Sequence, residues 1–578
     1  MLWKIKPSIS EEFINQFPEY KLHLLQLLWD RGLKTQAAID EFFNPDYDED
    51  LHDPFLMLGM KEAVKIILKA IKNQDKILIY GDFDADGVCS TVILQEILEE
   101  LGANFGGIYL PDRNSEGYGI NAAAIKKIAS QGIKLIISVD CGISNYNEVA
   151  LAKTLGMAVV IVDHHEIGAK LPPAEAIVNP FQADDKYPFR ELAAAGVVYK
   201  LIQALVAKSG KKIKAGWEKW LLDLVGLATV ADLVPLLGEN RTLVRYGLVV
   251  LAQTPRPGLQ ELMKIARLNP VLERESLKTN LDAYSLGFVL APRLNAAGRL
   301  DSAQVAYDLL TTKNREQARE LAKKIDAQNR QRQKMTEEIV AQIEEKIKNQ
   351  DLEKEYVIVE KGAEWLPGML GLAAGKIADR YHRPTFIFRQ QTPLSRASAR
   401  SIPTFNLVEG IARCADILES FGGHAGAAGV VLAEGKISLF KEKINAVAKE
   451  MLKKEDLMPS LEIDLELAPE DINWELFDGL ERFEPFGQGN KPPKFLVKDL
   501  EIKNCRVVGN GSKHLKMDLI SEKIIGKTFK AIGFGLAAKN GNAELKIGDK
   551  INVVFELLID EWNGNRELQL KVIDIKKS

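Results

Sequence analysis

Lys76-Ile-Leu-Ile-Tyr-Gly-Asp-Phe-Asp-Ala-Asp-Gly87 is an apolar run that breaks into three aspartates at alternate positions. Two further runs end the same way. Lys134-Leu-Ile-Ile-Ser-Val-Asp-Cys-Gly142 closes on Asp140, and Met157-Ala-Val-Val-Ile-Val-Asp-His-His165 closes on Asp163, His164 and His165. Short continuous apolar runs read as strands buried on both faces, as in a parallel sheet. The carboxyl ends of such strands line up along one edge, where open α/β proteins place their ligands. Segments far apart in sequence thereby deliver Asp82, Asp84, Asp86, Asp140, Asp163, His164 and His165 to one crevice. So many like charges repel unless a cation sits among them. Taken singly, the aspartates could form an acidic turn or a helix cap, and the paired histidines a surface feature. Their coincidence at one edge, in a chain with only 7 histidines, points to metal. Carboxylates and imidazole without thiolate favour Mn2+ or Mg2+ over structural zinc. Carboxylates that can bridge imply two ions roughly 3.5–4 Å apart, a pair suited to phosphoester hydrolysis.

The chain has 578 residues, enough for several domains, and its 46% hydrophobic and 27% charged content is that of an ordinary globular protein. No apolar stretch approaches the ~20 residues of a membrane span, and the opening Met1-Leu-Trp-Lys-Ile-Lys6 lacks a signal-peptide core. Cys89, Cys141, Cys414 and Cys505 form no CxxC, which fits a reducing cytoplasm. A formal charge of −4 leaves attraction for nucleic acid to a local groove.

Strands are expected at 76–80, 107–110, 134–139, 157–162 and 175–178, with helices between them such as 88–101 and 145–155; this alternation predicts βαβ units. Residues 1–55 read as a helical leader packed on the residues after it, and 56–310 as the α/β domain, helical from about 215. The stretch 314–348 contains no Pro or Gly and reads as a helix bridging two domains (311–350). Its basic run, with Lys323, Lys324, Arg330, Arg332 and Lys334 against Asp326, is either a solvated face or a strand-binding surface. A second α/β unit spans 351–458 and a linker 459–491. Alternating runs over 492–578, with Asn563-Gly564 as a hairpin turn, suit a small barrel such as an OB-fold.

Tyr80-Gly-Asp-Phe-Asp-Ala-Asp-Gly87, Ser138-Val-Asp-Cys-Gly142 and Val162-Asp-His-His-Glu166 resemble the successive motifs of the DHH phosphoesterase superfamily. Leu227-Ala-Thr-Val-Ala-Asp-Leu-Val-Pro235 resembles the fourth. Leu110-Pro-Asp-Arg-Asn-Ser-Glu-Gly-Tyr-Gly119, Ala291-Pro-Arg-Leu-Asn-Ala-Ala-Gly-Arg299 and Phe421-Gly-Gly-His-Ala-Gly-Ala-Ala-Gly429 are similar to segments of the RecJ exonuclease family within it, and the resemblance covers nearly the whole chain. It implies a parallel-sheet DHH domain, a long connecting helix, a second α/β DHH-associated domain and a C-terminal OB-like β-barrel. It implies a 5′→3′ exonuclease that degrades single-stranded DNA to 5′ mononucleotides in repair and recombination. It also implies Mn2+ or Mg2+ as cofactor, and a single-strand-binding protein and a helicase as partners.

Residue by residue, the resemblance places Asp84, Asp140, His164 and Asp232 on one metal and Asp82 on the second, with Asp84 and Asp140 bridging. The catalytic set is Asp84, Asp140 and His165, the last a phosphate or leaving-group partner. Asp86 either orients its neighbours or caps a helix beginning near Val88, and Asp163 fixes an imidazole tautomer. Arg113, in the loop that also carries Tyr118, suits a terminal phosphate, and Ser398 and Arg400 complete that pocket. Gly423 and His424 lie in a glycine-rich segment able to offer backbone N–H groups to an anion. Arg293, Asn295 and Arg299 fall near the cut, and Gln328, Asn329 and Arg332 on the long helix. Phe529, Phe534 and Trp562 are candidates for base stacking in the barrel, with packing as the alternative. One position departs from the family: Leu366 follows Trp365 where a polar residue is usual. A phosphodiesterase of short oligoribonucleotides or cyclic dinucleotides gives no reason for the barrel. A non-catalytic scaffold would have lost ligands that are all present here.

Overall fold

The apolar runs form the expected sheet. In this computed structural model, which describes residues 1–113, 115–168, 170–509, 511–538, 545–562 and 565–578, five parallel strands lie side by side. Their order is Phe105–Tyr109, Ile77–Tyr80, Leu135–Val139, Ala158–Val162 and Ala176–Val178. The chain leaves the second of these strands for one edge, then returns to build on its other side. Strand order therefore reverses beside Ile77–Tyr80, and Asp82 and Asp140 follow the two strands flanking that switch point. The register keeps the carboxyl ends level: Tyr80 is opposite Ser138, and Val139 opposite Val162.

These residues belong to a unit made of Tyr47–Val234 and Gly238–Pro459. The helix Ala85–Glu100 packs against Ala194–Lys208 and Leu222–Ala231, and the long helix Arg315–Ile347 buries Ile325, Ile339, Ile343 and Ile347 on one stripe. The rest of this unit holds a mixed sheet in the order Ser420–Gly423, Ala427–Ala433, Leu394–Arg400, Thr385–Arg389 and Ile358–Gly362. Only its last two strands run parallel to each other.

The second unit comprises Met1–Asp46, Pro235–Leu237 and Ser460–Ser578. Strands Phe495–Val508, His514–Ser521, Ile524–Gly533, Lys550–Trp562 and Asn565–Lys577 close in the order first, second, third, fifth, fourth and back to the first, the OB topology. Two readings of the sequence change here. Residues 1–46 pack on the end of the chain and not on the residues directly after them: Leu2–Ile5 pairs in parallel with Ser460–Ile463, and Phe42 and Phe43 stack edge-on against Phe483. Nor is 459–491 a bare linker, since it carries the helix Trp474–Glu481 and contributes Leu476, Leu480 and Phe483 to the core of this unit. Amphipathic patterns show that a face is buried but not against which partner. Phe529 lies in that core and is unable to stack on a base, whereas Phe534 is 58% exposed. Asn563-Gly564 and the side chain of Trp562 lie outside the described residues.

Candidate metal and phosphate site

The first acidic motif is shaped by packing. Gly81 and Gly87 let the strand end lie flat on the helix: a Cβ on Gly87 would sit 2.7 Å from the backbone nitrogen of Asp82. Asp84 caps the helix Ala85–Glu100, accepting from the N–H groups of Asp86 and Gly87 at 3.1 Å each. The helix thus begins three residues before the expected Val88, and its cap is Asp84, not Asp86. Asp86 caps another helix instead: its two oxygens accept from the Ala194 and Ala195 N–H groups at 2.8 Å.

Three sets of ligand atoms converge, each within 4.8 Å: Asp82, Asp84 and Asp140; Asp86, His164 and Asp232; and Asp140, His164 and His165. Burial, followed by repulsion from neighbouring carboxylates, raises the pKa of Asp82 and Asp140 well above the ordinary range, that of Asp86 to about 7 and that of Asp232 to about 8. His164 goes the other way. Burial and the neighbouring His165 push it down to about 4, so the ring is neutral. Its Nδ1 lies 3.1 Å from the Leu192 carbonyl, which can only accept, so the proton is on Nδ1. The Nε2 lone pair then faces the Asp140 carboxylate at 3.3 Å, with no hydrogen-bond partner among the described residues. An ionised Asp140 and a neutral His164 at that distance are both acceptors, so either a shared proton or a metal ion must lie between them. Oxygen and imidazole donors on strand ends fit Mn2+ or Mg2+.

Asp163 turns away from this cluster. It accepts from the Ile143, His164 and His165 backbone and from His165 Nδ1 at 2.8 Å. Burial alone would lower the His165 pKa, but Asp163 outweighs it and the value rises to about 9. Tyr118 donates to the Asp140 carbonyl at 3.2 Å and lies 3.1 Å from His165 Nδ1.

Beside the acids stands positive charge. Arg113 lies over the Phe83 ring, 4.0 Å from its centroid, and its buried Nε has no partner among the described residues; the same holds for Arg332 Nε. Arg299 donates to the Gly368 carbonyl at 2.8 Å, and Gly371 leaves room for Arg400, whose Nη2 would lie 3.1 Å from a Cβ there. Burial, then the charges of Arg113 and Arg332, push the Arg299 pKa down. That shift marks guanidiniums packed without enough counter-charge, not a neutral arginine.

The remaining sequence candidates fall on both sides of this cluster. Ser398 shares a strand face with Arg400, and Gly422, Gly429 and Ser398 form one row across the sheet. Gly423, with φ +144°, is needed because a Cβ would meet the Ala427 carbonyl at 2.4 Å. The His424 N–H is spent inside the hairpin on Ala427 O, so it is not offered to an anion. Arg293 is paired with Asp326 at 3.0 Å, and Gln328 donates to Asp301 at 3.2 Å. Asn329 is buried with its Oδ1 unpartnered among the described residues. Asn295 caps the metal loop, accepting from the Ala85 N–H at 2.7 Å. Leu366 is exposed at the start of the helix Pro367–Tyr381, and Trp365 beside it is buried on Gln342. Sequence reasoning missed Phe83 as the shelf under Arg113, for which its place between two ligands was the only signal. Asp86, delivered to the crevice by the sequence with a role as orienter or cap, joins the His164–Asp232 set.

Carboxyl groups whose ionisation burial and mutual repulsion oppose, set against guanidiniums short of anions, define a metal-dependent phosphoesterase. Residues 76–229 match the DHH family N-terminal domain, 354–450 the DHHA1 domain and 463–574 the RecJ OB domain. The chain is 39% identical to the single-stranded-DNA-specific exonuclease RecJ of Bacillus subtilis, over 99% of this chain and 70% of that one. It is 34% identical to that of Escherichia coli, over 89% and 90%. The crystal structure of Thermus thermophilus RecJ in complex with Mn2+ superimposes with a TM-score of 0.83 at 26% identity, covering 100% of this chain and 80% of that one. The chain belongs to the RecJ family of exonucleases.

Proposed function

We infer that this chain is a Mn2+- or Mg2+-dependent exonuclease that degrades single-stranded DNA from its 5′ end to 5′ mononucleotides, in DNA repair and recombination. The observation that carries this reading is the convergence of Asp82, Asp84, Asp140, His164 and Asp232, with Arg113 and Arg299 within electrostatic reach of Asp84. Asp82, Asp84, Asp140, His164 and Asp232 would hold the metal, two ions on this reading, which would supply activation of water and stabilisation of the charge developing on the phosphate oxygens. His165, kept cationic by Asp163, holds a proton beside the scissile phosphate for the leaving 3′ oxygen. Arg293, Asn295 and Arg299 flank the cut, and Gln328, Asn329 and Arg332 guide the strand. Functionally, 56–310 does the chemistry, 311–350 connects, 351–458 completes the end pocket and 492–578 holds strand. A DNA substrate and four free cysteines suit the cytoplasm, with a single-strand-binding protein and a helicase as partners.

Digestion of a 5′-labelled single strand beside its RNA and duplex counterparts tests the whole reading. Label released first, as mononucleotide and from single-stranded DNA alone, is expected; release from the 3′ end, or equal rates on blunt duplex, overturns it.

Arg113 and Arg400, with Ser398, Tyr118, Gly423 and the His424 side chain around them, receive the terminal phosphate. Arg113→Ala lowers the ratio of rates on 5′-phosphorylated and 5′-hydroxyl ends by about tenfold to a hundredfold, the worth of a charge-assisted contact. An unchanged ratio moves the end pocket elsewhere.

The barrel's part is tested by a surface change, because truncation at 491 would strip a core shared with Phe13, Phe42 and Phe43. Phe534→Ala weakens single-strand binding by roughly fivefold to a hundredfold, the range for one base–aromatic stack. The unfolding temperature stays constant, since the ring is exposed and touches only His514 among the aromatic and imidazole rings described. Equal affinity by fluorescence anisotropy removes Phe534 from the strand path.

A further inference from the structure

Phe83 lies between two candidate ligands, Asp82 and Asp84, and is buried. Its ring is the shelf on which the Arg113 guanidinium rests, 4.0 Å from the centroid. Its carbonyl is pressed by the helix Ala291–Leu300: a Cβ on Gly298 would sit 2.4 Å from it. One turn earlier on that helix, Asn295 accepts from the Ala85 N–H, and the next residue after Gly298 is Arg299. Both Arg113 and Arg299 therefore lean on the loop 82–85, one through a ring and one through a helix. Arg113 Nε is buried and unpartnered among the described residues, so the Phe83 ring and the charges of Asp84 and Asp82 are what act on that side chain.

We propose that Phe83 couples the metal site to the 5′-phosphate pocket, so that an ion bound on the loop 82–85 fixes Arg113 for the end phosphate, and an end phosphate on Arg113 tightens metal binding. Coupling of this kind is reciprocal: each ligand changes the other's affinity by the same factor. The face of an aromatic ring is attractive to a guanidinium and an aliphatic chain of similar volume is not. Phe83 is thus a positioning residue acting through Arg113. A strand without a 5′ phosphate meets a looser metal loop, which makes the end chemistry part of the cofactor's hold.

This inference rests on the assignment of the end phosphate to Arg113, and its test separates the two. Mn2+ binding to the full chain is measured by calorimetry with and without a deoxynucleoside 5′-monophosphate, in wild type, Phe83→Leu, Phe83→Tyr and Arg113→Ala. The ratio of rates on phosphorylated and hydroxyl ends is measured in parallel. In wild type the monophosphate tightens Mn2+ binding. Phe83→Leu reduces that effect and the end preference together, each by roughly twofold to thirtyfold, the range of a cation–π contact. The loss appears in KM for phosphorylated ends. Phe83→Tyr, which keeps the ring face, restores both. Direct contact between the monophosphate and the ion gives tightening that survives Phe83→Leu, and that result overturns the proposal while leaving the pocket in place. If Arg113→Ala retains the end preference, the pocket assignment itself fails. Should Phe83→Leu unfold, Phe83→Met supplies the same aliphatic comparison.

Discussion

Asp140→Asn abolishes cleavage, with kcat lowered roughly a thousandfold or more, while the metal-free protein unfolds at an equal or higher temperature. The loss arises because Asp140 belongs to two of the three convergent ligand sets, and an ion's stabilisation of the transition state is worth several kcal/mol. The gain arises because Asp140 is buried against Asp86, Asp84 and Asp82, and an amide there avoids the cost of burial and repulsion that opposes ionisation of the carboxyl. Asparagine is the right replacement. Asp140 has φ +60°, a left-handed conformation that asparagine tolerates and alanine resists, so backbone strain does not confuse the result. The measurements are single-turnover cleavage in Mn2+ and the unfolding temperature with and without metal. The rise in unfolding temperature on adding Mn2+ shrinks in the variant, since a ligand stabilises only as far as it binds. Activity within tenfold of wild type removes Asp140 from the metal site.

The acidic edge was legible because its residues interrupt their own pattern. Apolar runs at 76–80, 134–139 and 157–162 have no reason to stop on Asp82, Asp140 and Asp163 except that each strand has reached the end of the sheet. Parallel pairing then supplies the third dimension, since register is set once the apolar runs are aligned. Asp232 was visible only through resemblance: it ends the buried helix Leu222–Ala231, and nothing local distinguishes it from any polar C-cap. The features that stayed hidden depend on partners distant in sequence. Asp86 read as orienting its neighbours or capping its own helix, and its partners are more than a hundred residues on, at Ala194 and Ala195. Leu2–Ile5 has the pattern of any short strand, and no local signal names Ser460–Ile463 as its neighbour. Phe529 and Phe534 are equally aromatic; a strand register that puts the first inside and ends before the second is decided by the barrel, not by propensity. The glycine-rich 422–426 shows the converse error. Composition alone offers its N–H groups to an anion, but the hairpin uses the one on His424.

Gly87→Ala is expected to cost roughly a hundredfold in kcat, although alanine is the better helix former by about 1 kcal/mol. Gly87 is helical and has no need of a left-handed φ, so conformational freedom is not the reason for glycine there. The reason is contact: a Cβ would lie 2.7 Å from the Asp82 nitrogen and 2.8 Å from its Cα. Those are backbone atoms and cannot rotate aside. Either the helix retreats or the loop moves, by something near 1 Å if ordinary van der Waals separation is to be restored. The helix is held from the other side, because Asp86 is fixed to the Ala194 and Ala195 N–H groups and Arg256 ties Glu96 to Asp223. The loop therefore moves, carrying Asp82 away from Asp84 and Asp140. A misplacement of that size at a reacting centre costs about two orders of magnitude, and overpacking costs roughly 1–3 kcal/mol of stability. Circular dichroism and the unfolding temperature measure the second effect, and single-turnover rates across a Mn2+ titration the first. A higher Mn2+ requirement together with the lower rate is the expected signature, since the loop holds ligands for the ion. A fully active and more stable Gly87→Ala protein would mean that helix propensity governs this position and that the loop 82–85 has room to spare.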